Sequence, residues 1–137
     1  MKCWHHEVIS NIVAASSACL PPFMDTGVGC FYQHTQLMSW CDARIYCSDL
    51  GGDLAVPQDY YGFEIWIRNT GTTEEKWIGA KALSWINGVA VTSDLWAPSD
   101  PNGGPDECIR MVFVTSQFQL ADTGCDRLKE FVCEVKF

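Results

Sequence analysis

Residues 96–108 read Trp96-Ala97-Pro98-Ser99-Asp100-Pro101-Asn102-Gly103-Gly104-Pro105-Asp106-Glu107-Cys108. The prolines remove backbone donors and the paired glycines favour no regular conformation, so the stretch is neither helix nor ladder strand. At Cys108 the pattern changes. Ile109, Met111 and Phe113 alternate with Arg110, Val112 and Val114, which is the period of a half-buried strand. A long irregular loop rich in side-chain oxygens therefore runs straight into a strand, and loops held by a scaffold are where binding chemistry concentrates.

Working back from the loop, Leu83–Val91 with Asn87-Gly88 reads as a hairpin, and Trp77-Ile78-Gly79 starts a strand. Residues 70–75 are a polar loop. Asp59 caps a helix that runs to about Asn69, with Phe63, Trp66 and Ile67 on its buried side. Leu54-Ala55-Val56 is a short strand stopped by Pro57. Residues 35–48 carry an apolar stripe at helical spacing, ended by Gly51-Gly52. Cys19 to Cys30 bounds a stapled hairpin. Residues 3–18 read as a short helix or an extension, through Val8, Ile12 and Ala15. Beyond the loop, a last strand runs from about Glu130 to Val135. The sum is α+β: two helices early, short antiparallel strands late, and no repeat or linker.

The chain has 137 residues, which indicates one domain. Its formal charge of −8 makes it a poor partner for nucleic acid or an anionic membrane. No run approaches the roughly 20 apolar residues of a membrane span. Eight cysteines in so short a chain indicate disulfides and an oxidising, secreted setting, with a secretory signal expected ahead of Lys2 or Cys3. Zinc would need Cys-x-x-Cys pairs or a Cys/His cluster. Cys41 and Cys47 stand six apart, and the histidines are His5, His6 and His34.

The ordered set Trp40-x-x-Ala43-x-x-x-Cys47, Gly52-x-Leu54-Ala55, Trp77-Ile78-Gly79, Trp85-x-Asn87-Gly88, Trp96, Pro101-Asn102, Asp106-Glu107-Cys108, Cys125 and Phe131-Val132-Cys133-Glu134 resembles the C-type lectin domain. The resemblance covers residues 19–137, with residues 1–18 as an N-terminal extension. It is nearest to short secreted invertebrate lectins such as those of bivalves. It implies the C-type-lectin-like fold, disulfide-braced, with bonds Cys19–Cys30, Cys47–Cys133 and Cys108–Cys125. Cys3 and Cys41 are left over. They bond either to each other within the chain or across two chains, and the interchain reading, a disulfide-linked homodimer with avidity from paired sites, is the one preferred.

In the family, the loop and the next strand hold a calcium ion, and the same side chains bind vicinal sugar hydroxyls. Asp100-Pro101-Asn102 resembles the family's Glu-Pro-Asn loop, which implies mannose-type sugars and a cis proline. The retained candidate ligands are Asp100, Asn102, Asp106 and Asp122. Asp100 and Asp106 are each a methylene shorter than the usual Glu. The usual Trp-Asn-Asp becomes Leu120-Ala121-Asp122, which loses one oxygen ligand, and the short Ala80-Lys81-Ala82 loop lacks the acids of the accessory calcium site. Calcium either binds weakly or is dispensed with, and the reading favoured is metal-free sugar binding by those four residues. Arg110 would add donors and Trp96 an apolar face, against the plainer roles of a solvated strand residue and a core residue. Recognition of microbial surface glycans in innate immunity is the role the resemblance suggests.

An enzyme is not indicated. There is no Ser-His-Asp order or metal-ligating His pair, and the adjacent Asp106 and Glu107 point to opposite strand faces. The rival function is a lectin-like protein-interaction module that binds no sugar, which Leu120 and Ala121, in place of the usual Trp-Asn, favour.

Overall fold

The computed structural model describes Cys3, residues 19–104 and residues 107–136. The helix expected over residues 3–18 lies outside them, apart from Cys3. β1 (Met24–Asp25) turns through Gly27, at φ 87°, into β2 (Cys30–Met38), forming the hairpin read between the first pair of cysteines.

β2 extends to Met38, so the helix expected from residue 35 begins later, as α1 (Trp40–Asp49). The Ser39 side chain accepts the Asp42 N–H at 3.2 Å and caps it. Tertiary pairing explains the difference. β2 lies antiparallel to β8 (Lys129–Val135), from Cys30 opposite Val135 to Met38 opposite Lys129, and leaves Leu37 exposed. The stripe that counted Leu37 as apolar helix face was a coincidence of spacing.

α2 (Tyr60–Asn69) starts where Asp59 accepts the Gly62 N–H at 3.0 Å. Tyr60, Phe63 and Ile67 are buried as an apolar face requires, but so is Glu64, only 3 % exposed. Its carboxylate takes both Arg68 on the next turn and the backbone N–H of Phe118 at 2.9 Å. Glu64→Ala is expected to leave that buried N–H unpaired and to cost about 1–3 kcal/mol, read by urea denaturation.

β3 (Asp53–Leu54), β4 (Lys76–Lys81), β5 (Ser84–Trp85), β6 (Cys108–Val114) and β7 (Gln117–Thr123) complete one sheet in the order β1-β2-β8-β4-β6-β7. β3 pairs with β8, β5 with β4, and the β4–β8 pair is parallel. β7 has no clear alternation in the sequence. It exists because a two-residue turn returns the chain along β6, from Val114 opposite Gln117 to Cys108 opposite Thr123. The core has two parts. Phe31, Phe63, Ile67, Ile78, Ile109 and Leu120 pack under α2, and Trp40, Cys47, Trp77, Phe131 and Cys133 under α1.

Four disulfides tie this frame: Cys19–Cys30, Cys47–Cys133, Cys108–Cys125 and Cys3–Cys41. The last corrects the expected interchain bond. Cys3 lies buried against α1 with its Cα 5.3 Å from that of Cys41, and Arg44 donates to the Cys3 carbonyl. Both thiols are consumed within one chain, which removes the basis for a disulfide-linked homodimer. No helix among the described residues is long and apolar enough to cross a membrane.

The β4–β5 turn is formed by Ala82 and Leu83, at φ 53° and 69°, and the hairpin expected over Leu83–Val91 follows it, with Asn87-Gly88 in the turn that closes Trp85 onto Val89 and the Val91 N–H donating to the Leu83 carbonyl at 3.0 Å. Two left-handed residues are what a type I′ hairpin demands, and Asn-Gly is the sequence that suits it. A side chain in that conformation costs about 1–2 kcal/mol and glycine's extra chain entropy about 0.5–1. Leu83→Gly is therefore expected to stabilise the fold by about 0.5–1 kcal/mol, seen as a raised denaturation midpoint.

Candidate functional site

The loop leaves the sheet after a 3-10 turn at Ser93–Leu95. Its stem is stitched to β7: Trp96 bridges Leu120, and the Ala97 N–H donates to the Leu120 carbonyl at 2.8 Å. Two residues along the same strand stands Asp122, 5 % exposed, opposite Ile109 of β6. The Cys108–Cys125 bond, Cα to Cα 5.0 Å, braces the ends of these two strands. Asp122 is thus a carboxylate fixed by the scaffold beneath a loop that has no regular hydrogen bonding of its own.

The loop uses it. The Asn102 N–H donates to Oδ1 of Asp122 at 3.0 Å, and the Gly103 N–H to Oδ2 at 2.6 Å. Gly103 is required for that approach, because a Cβ there would stand 2.9 Å from the same Oδ2 and 2.8 Å from Cγ of Glu107. The Asp100–Pro101 bond is cis, Asp100 is half-buried and Asn102 is exposed. The Asp100 and Asp122 carboxyls stand side by side, close enough to share a hydrogen bond when one of them is protonated.

Burial, then the hydrogen bond to Asp122 and the charge beside it, push the Asp100 carboxyl up from 3.8, with Arg110 opposing. Burial also works against the Asp122 carboxylate. The Asn102 and Gly103 amides and the Asp100 carboxyl outweigh it and hold Asp122 below 3.8. When the pair holds one proton, it therefore sits on Asp100, which donates to an ionised Asp122. The two contributions have opposite signs. That of Asp122, whose folded value is depressed, is lost as pH falls below 3.8. That of Asp100, whose folded value is raised, is lost as pH climbs from 3.8 through that value. The Asn102 and Gly103 amide resonances are expected to titrate in two steps, one on each side of 3.8, and a single step would remove the shared proton.

Of the residues picked from the sequence, the structure brings together Asp100, Asn102 and Asp122. Asp106 lies outside the described residues. Arg110 is engaged elsewhere, its Nε 3.5 Å from Oε1 of Glu75, an oxygen that also takes the Lys129 ammonium at 2.6 Å. It reaches Asp100 only as a neighbouring charge. Trp96 is half-buried against the core under α2 while its carbonyl accepts from Gln119, so packing is its evident role. The sequence reading missed that the main ligands of Asp122 are the loop's own amides. The signal was present in Asn102-Gly103-Gly104, since adjacent glycines mark close backbone approach.

Calcium wants six to eight oxygens. Here both oxygens of Asp122 face N–H donors, and Ala121 is buried without a side-chain oxygen. Among the described residues, no group of three or more His, Cys, Asp or Glu is placed to hold a metal ion. The described donors, in this arrangement, do not fit calcium.

The profile of the family described as the Lectin C-type domain matches residues 36–135. The chain belongs to the C-type lectin domain family. The family's fold serves recognition rather than catalysis, so the chain is a binding module. It is 25 % identical over 114 residues to human C-type lectin domain family 17, member A, covering 78 % of this chain but only 29 % of that protein. The C-type lectin domain of murine dendritic cell inhibitory receptor 2, solved in complex with N-glycan, superposes with a TM-score of 0.75 at 20 % identity, covering 88 % of this chain and 100 % of that one. A calcium-independent type II antifreeze protein superposes with a TM-score of 0.71 at 25 % identity, covering 85 % and 92 %. Proteins with this backbone thus include a C-type lectin domain solved with N-glycan and an antifreeze protein described as calcium-independent.

Proposed function

We propose that this C-type lectin domain binds mannose-type glycan through Asp100-Pro101-Asn102 without calcium. The observation that carries the reading is the pair of hydrogen bonds from the Asn102 and Gly103 amides to Asp122. A buried carboxylate anchors the loop from below, which is the organising work a metal ion would otherwise do. The exposed Asn102 amide offers a donor and an acceptor, and the Asp100 carboxyl adds oxygen beside it, the combination that adjacent sugar hydroxyls need. Asp122 is then a positioning residue, and Asp106 a further candidate for contact with sugar. Arg110 acts on Asp100 through its charge, and Trp96 supports the stem rather than offering its face to a sugar ring. Residues 19–137 form the recognition domain, with 1–18 as an extension. Four disulfides suit a secreted protein, and microbial surface glycans suit its acceptor-rich loop.

Retention on mannose resin in the presence of EDTA is the expected result. Retention abolished by EDTA would assign the site to calcium. The second reading, an interaction module that binds no sugar, rests on Ala121, which supplies no ligand oxygen, and on the likeness to an antifreeze protein. Failure to be retained with or without chelator would establish it.

A further inference from the structure

A groove of about 620 Å³ opens between the start of α2 and the segment from β5 to the 3-10 turn, and shares no lining residue with the Asp100–Asn102 loop. Its volume falls in the range of small-ligand sites. The walls combine two kinds of surface. Tyr61, 52 % exposed, Trp85, Val89 and Leu95 give apolar faces, while Gln58, Asn87 and Asp94 give hydrogen-bonding groups. The Tyr61 ring is held in place: its hydroxyl donates to Oδ2 of Asp94 at 2.6 Å, which ties α2 to the 3-10 turn along one rim. That bond, followed by one from Thr92, keeps the Asp94 carboxyl below the usual aspartate range, so it is an ionised acceptor. Asn87 spends its side-chain oxygen on the Val89 N–H at 3.0 Å, leaving its NH2 group to donate.

We propose that this groove is a second saccharide subsite, in which the pyranose ring lies against Tyr61 and its hydroxyls bond to Asp94 and Asn87. A fixed aromatic plane beside an acceptor and a donor matches a sugar, which presents an apolar C–H face and hydroxyls along one edge. An anionic ligand is disfavoured, because Asp59 and Asp94 line the groove and the one cation among its described lining residues, Lys136, is already paired with Glu134 at 2.7 Å. The inference stands independently of the loop: the groove has its own aromatic face, acceptor and donor, and takes a saccharide whether or not the loop does.

The test is a titration of the 15N-labelled full chain with branched mannotriose, following amide shifts, for the unaltered protein, Tyr61→Ala and Asn102→Ala. Shifts are expected at Tyr61, Asn87 and Thr92 as well as at Asn102 and Gly103. Tyr61→Ala is expected to weaken the groove response roughly fivefold to tenfold while sparing the loop response, and Tyr61→Phe, which keeps the ring, to weaken it less. Asn102→Ala is expected to do the reverse of Tyr61→Ala. Shifts confined to the loop would overturn the groove site and leave the loop reading intact. Shifts confined to the groove would overturn the loop reading alone. An unchanged groove response in Tyr61→Ala, or no shift anywhere, would overturn the groove site.

Discussion

Replacing Cys47 and Cys133 together by alanine is expected to lower stability by about 4–5 kcal/mol, the value chain entropy assigns to a loop closed over 86 residues. A domain of this size commonly holds 5–15 kcal/mol in all, so the variant is expected to be marginal or unfolded at physiological temperature. Position adds to the effect. Cys47 lies in α1 and Cys133 in β8, both are fully buried, and both sit in the core beside Trp40, Trp77 and Phe131. The bond thus joins a helix to a strand that β2, β3 and β4 all pair with. Breaking Cys108–Cys125 opens a shorter loop, over 17 residues, worth about 3 kcal/mol by the same reasoning. Thermal denaturation of the two double-alanine variants checks the order. A smaller loss for Cys47/Cys133 than for Cys108/Cys125 would show that local bracing, rather than loop closure, governs this fold.

Much of that frame can be read in the residues themselves. Asp59 announces α2, Gly51-Gly52 ends α1, and the alternation after Cys108 gives β6 to the residue. What escaped the sequence depends on distant partners. Residues 35–38 join β2 because β8 lies alongside, and β7 is a strand because β6 pairs with it. Glu64 is buried because Phe118, 54 residues away, has an N–H to satisfy. The same holds at the site. The Asp-Pro-Asn loop and Asp122 stand out in the sequence, but their mutual bonding does not, because a carboxylate 20 residues from an amide gives no periodic signal. The interchain assignment for Cys3 and Cys41 failed likewise, since Arg44 draws the Cys3 carbonyl to α1 by a contact that no spacing encodes.

Asp122→Ala is expected to reduce mannotriose affinity at the loop at least roughly thirtyfold while leaving the fold intact. The substitution removes the acceptor of two amides, at Asn102 and Gly103. Because Asn102, Gly103 and Gly104 are exposed, water satisfies those amides once the loop relaxes, so little global stability is lost. The cost moves to binding. A relaxed loop must be ordered by its ligand, at about 1–2 kcal/mol for each backbone residue fixed, and two residues give at least the thirtyfold stated. Asp122→Asn is nearly as damaging, since one of its two terminal atoms is a donor and would face an N–H. Calorimetry gives the affinity, and the amide resonances of residues 102 and 103 report whether the loop has relaxed. Undiminished affinity in Asp122→Asn would show that the carboxylate does not organise the loop. A calcium titration of the unaltered protein separates anchor from metal ligand. A carboxylate committed to two N–H donors leaves those resonances in place as calcium is added, whereas their displacement would mean that the metal takes Asp122 from the loop.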